Sequence, residues 1–107
     1  MEKAYAFIEN LQTHIPTIPE NSILSQTVLD EAQVKVILFG FAAGQELSEH
    51  TAAYPAMLYF VDGDAQITLG QDKMRAQTGT WVHMQPNLPH SIHAQTAVTM
   101  LLILLRS

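Results

Sequence analysis

Cysteine is absent from the 107-residue chain. That absence excludes disulfide staples, thiolate zinc sites, iron–sulfur clusters and a cysteine nucleophile together. Charge is scarce too. Asp, Glu, Lys and Arg make up 14% of the residues, against a usual share of roughly 25%, which excludes a disordered, solvating chain. Basic residues are the scarcest charge, 5 Lys plus Arg against 10 Asp plus Glu, for a net charge of −5. No basic run exists, so a surface that tracks nucleic-acid phosphates is not expected. The longest purely apolar run, residues 100–105, falls far short of a membrane span. The opening Met-Glu-Lys-Ala-Tyr-Ala lacks a basic region followed by an apolar stretch, so no signal peptide is read and a cytoplasmic protein is expected.

What the chain has in quantity is apolar residues, 48% of the total. One domain with one core follows from that share and length. An apolar chain with so few charges is expected to hide part of its surface against a partner, most simply a second copy in a homodimer.

Residues 1–22 read as an N-terminal arm and linker. Tyr5, Ile8 and Leu11 roughly fit helical spacing, so 4–11 is a short helix or an arm, and Pro16 and Pro19 make 12–22 extended. Residues 23–107 read as a β domain. Short apolar segments at 23–29, 34–41, 46–50, 56–61, 65–69, 73–78, 80–84, 91–94 and 98–105 alternate with turn signals, the pattern of an all-β sandwich or barrel. Asp62-Gly63 reads as a hairpin turn. The last segment, apolar on both faces, reads as a central, doubly buried strand. Strands this short and numerous hide their edges by closing into a barrel or jelly roll, which leaves a ligand pocket at one mouth.

Histidine is the one residue type suited to strong nitrogen ligation. Five stand at His14, His50, His83, His90 and His93. Strand alternation puts His90 on the inner face with Ile92, and His93 on the outer face. His83 shares the outer face with Trp81, opposite Val82 and Met84, while Tyr59 and Met57 read as outer packing or interface residues. His50 ends a strand whose same-face partner, Ser48, is small. His14 reads as a solvated loop residue. By the same alternation the pocket liners are His50, Ala52, Ala56, Leu58, Phe60, Val82, Met84, His90 and Ile92.

Two stretches carry a family pattern. The first runs Gly44, five residues, His50, Thr51, Ala52, three residues, Ala56, six residues, Gly63. The second runs Gly79, five residues, Gln85, Pro86, Asn87, two residues, His90, three residues, Ala94. In spacing these resemble the two motifs of the cupins, and the resemblance covers about residues 23–105. It implies a single jelly-roll barrel of about 8–10 antiparallel strands, usually dimeric. Metal-binding cupins take two His and one Glu from the first motif and one His from the second. Position by position, His50 and His90 match, while Ala52 and Ala56 replace the other His and the Glu.

Two readings of the site therefore stand side by side. In one, His50 and His90 are neutral pocket histidines in a barrel that binds a small organic ligand, with no cofactor. In the other they hold one divalent transition metal (Fe, Mn, Ni, Cu or Zn) in an oxygenase or isomerase, with water, substrate, Met84 or Gln45 completing the coordination. A third possibility is an interaction module whose pocket is filled by its own side chains.

Overall fold

The computed structural model describes residues 4–106. Among them the nine apolar segments form nine strands, each end within one residue of the expected boundary. They are β1 (Ile23–Asp30), β2 (Val34–Phe41), β3 (Glu46–His50), β4 (Ala56–Asp62), β5 (Asp64–Leu69), β6 (Asp72–Gln77), β7 (Trp81–Met84), β8 (His90–Ala94) and β9 (Val98–Leu105). Antiparallel pairing builds a five-stranded sheet in the order β1-β2-β9-β4-β7 and a four-stranded sheet in the order β3-β8-β5-β6. The two stack as an all-β jelly roll. Their inner faces share one core that includes Phe41, Leu58, Phe60, Ile67, Ile92 and Met100.

Alternation explains the core. Ala56, Leu58 and Phe60 are buried while Tyr59 between them is exposed, and Val82 and Met84 are buried while Trp81 and His83 are exposed. Successive side chains on a strand point to opposite faces, so each strand gives one face to the core.

The N-terminal arm holds no α-helix among its described residues. A 3-10 turn, Leu11–His14, is capped by Asn10, whose side chain accepts from the Gln12 N–H at 3.0 Å. The following residues are less free than a linker. Ile15 is buried, and Ile15 and Ile18 lie so close over Gly40 that a Cβ there would meet their side chains at 2.9 and 3.0 Å. The arm thus covers part of the outward face of the five-stranded sheet.

Two expectations need correction. Asp62-Gly63 is not a hairpin turn. β4 pairs with β7 and β9, and β5 pairs with β6 and β8, so Gly63 is the corner where the chain crosses between sheets. Its φ is +108°, and a Cβ would overlap the Ala97 carbonyl oxygen and lie 2.8 Å from Val98 Cα. Glycine is required there by close backbone approach as well as by conformation. The second correction concerns β9. It is central, between β2 and β4, but only Val98, Thr99 and Met100 are buried, and residues from Leu101 onward are half-buried. The described residues leave its second face partly open. No helix among them is long and apolar enough to cross a membrane.

Candidate functional site

His50 and His90 meet. They are partners across β3 and β8, and their ring centres are 4.1 Å apart at an interplanar angle of 57°. Simple alternation would not bring this about, because Leu47 already faces the core and His50 is an odd number of residues away. A β-bulge resolves the conflict. Leu47 pairs with Ile92 and His50 with His90, so three steps along β3 match two along β8. The extra residue turns His50 back to the face that Leu47 uses. His50 therefore does not share a face with Ser48 as the alternation implied. It stands exposed at the mouth, while His90 is 6% exposed.

Both rings are held in the same way. Nδ1 of His50 lies 2.8 Å from the Ser48 carbonyl oxygen, and Nδ1 of His90 lies 2.8 Å from the Leu88 carbonyl oxygen. A carbonyl can only accept, so each ring donates from Nδ1, and Nε2 of each neutral imidazole is left as a bare acceptor. No buried side-chain nitrogen or oxygen among the described residues lacks a partner, so the Nε2 of His90, which bonds to none of those residues, reaches solvent. Burial pushes the His90 imidazole below its ordinary value of 6.5; the Leu88 carbonyl opposes the shift and the neighbouring His50 adds to it.

The loop before His90 is fixed by Asn87. Its φ of +66° is left-handed. Asparagine tolerates that region better than most residues. Its N–H donates to the Ala52 carbonyl at 2.7 Å, tying the segment before His90 to the segment after His50.

The expected pocket liners divide. Ala56, Leu58, Phe60, Val82, Met84 and Ile92 are buried core residues packed on one another, and Ala52 is half-buried outside that cluster. The largest of them thus fill the barrel below the histidines. A depression of about 470 Å³ lies elsewhere, lined by Asp64, Gln66, Lys73, Arg75 and neighbours. His83 and His93 are exposed on outer faces. His14 is exposed, 3.4 Å from the Gln26 side-chain nitrogen.

Lys35 escaped the sequence reading. It sits inside an apolar segment, and only the register reveals its side. The cross-strand row Asp30, Lys35, Leu104, Ala56, Met84 is an inward row, because Leu104, Ala56 and Met84 contribute to the core. Lys35 is half-buried.

A metal of the kind the resemblance implies needs more than this chain offers. Among the described residues no three His, Cys, Asp or Glu come together, and a catalytic metal usually holds three protein ligands. The rings suit ligation through Nε2 with carbonyls orienting them from behind, but two neutral imidazoles do not fit a tightly held cation. Sequence reasoning could not have found the Ser48, Leu88 and Ala52 carbonyls, since backbone acceptors carry no residue signature.

No family model matches the sequence, and no curated protein sequence is similar to it. Solved structures are similar. A conserved protein of unknown function from Streptococcus pyogenes is 27% identical, with 100% of this chain and 91% of that chain covered and a TM-score of 0.84. A cupin superfamily protein from Desulfitobacterium hafniense is 25% identical, with 95% of each chain covered and a TM-score of 0.86. An RmlC-like cupin from Shewanella frigidimarina, 15% identical over 99% of this chain and 93% of that chain, shares the fold at a TM-score of 0.79. The fold is thus that of the cupins, a small cupin-type domain.

Proposed function

We propose that the chain is a small-molecule-binding barrel that receives its ligand at the mouth marked by His50 and His90, without a resident metal. The observation that carries this reading is the pair itself: two imidazoles 4.1 Å apart, each anchored through Nδ1, with no Cys, Asp, Glu or further His joining them among the described residues. The filled interior favours a small ligand held near the rim over one enclosed deep in the barrel. Elemental analysis and thermal melting of tag-free protein test the reading. Less than roughly a tenth of a metal ion per chain is expected, with no stabilisation by added Fe, Mn, Ni, Cu or Zn. About one ion per chain, lost on replacing both histidines, would favour the metal-dependent oxygenase or isomerase instead.

We propose further that the chain works as a homodimer through the outer face of its five-stranded sheet. Trp81 and Tyr59 are cross-strand partners there, 60% and 41% exposed, beside half-buried Leu101 and Ile103. These four side chains carry no charge to repel an identical copy, although the chain is net acidic. Light scattering that gives a monomer mass at micromolar concentration would overturn this.

A further inference from the structure

We infer that Lys35 is a ligand-binding residue of the mouth, and that the ligand is a small hydroxycarboxylic acid whose carboxylate meets Lys35 and whose hydroxyl donates to the histidine pair. The inference deepens the ligand-binding reading above and rests on it.

The topology brings Lys35 to the same end of the barrel as the histidines. β2 and β3 are joined by the short turn that follows Phe41, and β8 and β9 by the one that follows Ala94. Walking away from those turns, β2 leads back to Lys35 and β3 leads on to His50; β8 leads back to His90 and β9 leads on to Leu104. Lys35 and Leu104 are themselves register partners, as are His50 and His90. The two pairs therefore lie on the same rim, one on each sheet, with inward faces toward one another.

Lys35 is also uncommitted. No hydrogen bond or ion pair joins its ammonium to any described residue. Asp30, its acidic register partner on β1, is taken by Arg106 at 2.8 Å, and that guanidinium also bonds the Glu31 carbonyl. A lysine turned inward on a strand loses hydration and side-chain freedom. With no partner among the described residues to offset that loss, an anionic ligand is the group that would do so.

The histidines set the rest of the ligand. With both Nδ1 atoms facing carbonyls, each imidazole in its neutral form offers Nε2 as an acceptor and has no donor left. A ligand for this rim therefore carries a negative group for Lys35 and a hydroxyl proton for an Nε2. A hydroxycarboxylic acid combines the two. A simple carboxylate lacks the donor, and a neutral diol lacks the charge.

Calorimetry or thermal shift with EDTA-treated protein tests this, with lactate, propionate and propane-1,2-diol as probes. Lactate is expected to bind at least about tenfold more tightly than either of the others, since each lacks one charge-assisted or ordinary hydrogen bond. In Lys35→Met the lactate advantage over propane-1,2-diol should vanish. The variant should melt no lower than the parent, which separates lost binding from lost folding. Lactate binding that is tight and indifferent to Lys35→Met overturns the role of Lys35 and leaves the ligand-binding barrel standing. Equal affinity for lactate and propionate overturns the hydroxyl contact. Failure of all three probes at millimolar concentration overturns the hydroxy-acid inference, whereas stoichiometric metal in the separate elemental analysis is what would remove the metal-free reading.

Discussion

The two sheets are alike inside and opposite outside. Each gives alternate residues to one shared core, Leu58 and Phe60 from the five-stranded sheet and Ile67 and Ile92 from the four-stranded one. Outward, the four-stranded sheet shows Glu46 and Gln66 flanking His93, then Arg75 beyond Gln66, with Arg75 bridged to Asp64 at 2.6 Å. The five-stranded sheet shows Tyr59, Trp81, Leu101 and Ile103. The inner pattern makes the fold, and the same polar surface on both sides would serve it equally well. The outer pattern is free to vary, so its asymmetry reports a task beyond folding.

The comparison can be broken at several depths. Removing core volume should hurt both sheets alike. Phe60→Ala should cost about 3–5 kcal/mol and Ile92→Ala about 2–5 kcal/mol, read from urea denaturation. A loss confined to one of them would mean that the sheets do not share a core. The outer faces should respond unequally. Ile103→Lys should weaken self-association by roughly a hundredfold or more, since it buries an unpaired charge at the proposed interface. Thr68→Lys, on the four-stranded sheet, should leave the oligomeric mass unchanged and the stability within about 0.5 kcal/mol of the parent. Sedimentation velocity separates the two outcomes. At the corner between the sheets, Gly63→Ala should cost about 1–3 kcal/mol from backbone strain alone, with the Ala97 clash in addition; an unchanged melt would show that the corner can relax.

The smallest effects belong to protons. The folded-state value of His90 lies below 6.5, so the unfolded chain binds its proton first. Stability should be fully present above about pH 6.5 and decline as pH falls toward the lowered folded value. Asp64 behaves differently. The Arg75 hydrogen bonds hold its carboxyl below 3.8, so its contribution persists above that pH and is lost only in stronger acid. In His90→Gln the step near neutrality should disappear and the acidic one remain. A melting profile still falling near pH 6 in that variant would assign the step elsewhere.

Much of this was legible in the residues. Alternating apolar segments marked every strand, because half-buried antiparallel strands must show one face to water. The match at Gly44, His50, Gly63, Gly79 and His90 marked the two loops that bring the histidines together. Three things were not legible. A bulge is a mismatch between two strands, so β3 alone could not reveal that His50 turns inward with Leu47. Asp-Gly favours tight turning, but whether the chain then pairs with itself or changes sheet depends on distant partners. Lys35 lies in an apolar stretch, and the side it takes is fixed only by its neighbours across β1 and β9. The spacing of the two stretches held throughout, and Asn87 between Pro86 and His90 keeps a left-handed backbone in the second loop.

The bulge in β3 also decides how the site would tolerate a change in length. Loss of one codon between Leu47 and His50 would leave two steps on β3 against two on β8, so the strands would pair regularly and the first imidazole would still face inward, opposite His90. What would go is the extra residue that bends the strand, in the stretch that carries the Ser48 carbonyl anchoring the ring. The cost of such a deletion would fall on where the ring sits at the mouth, not on the side it takes.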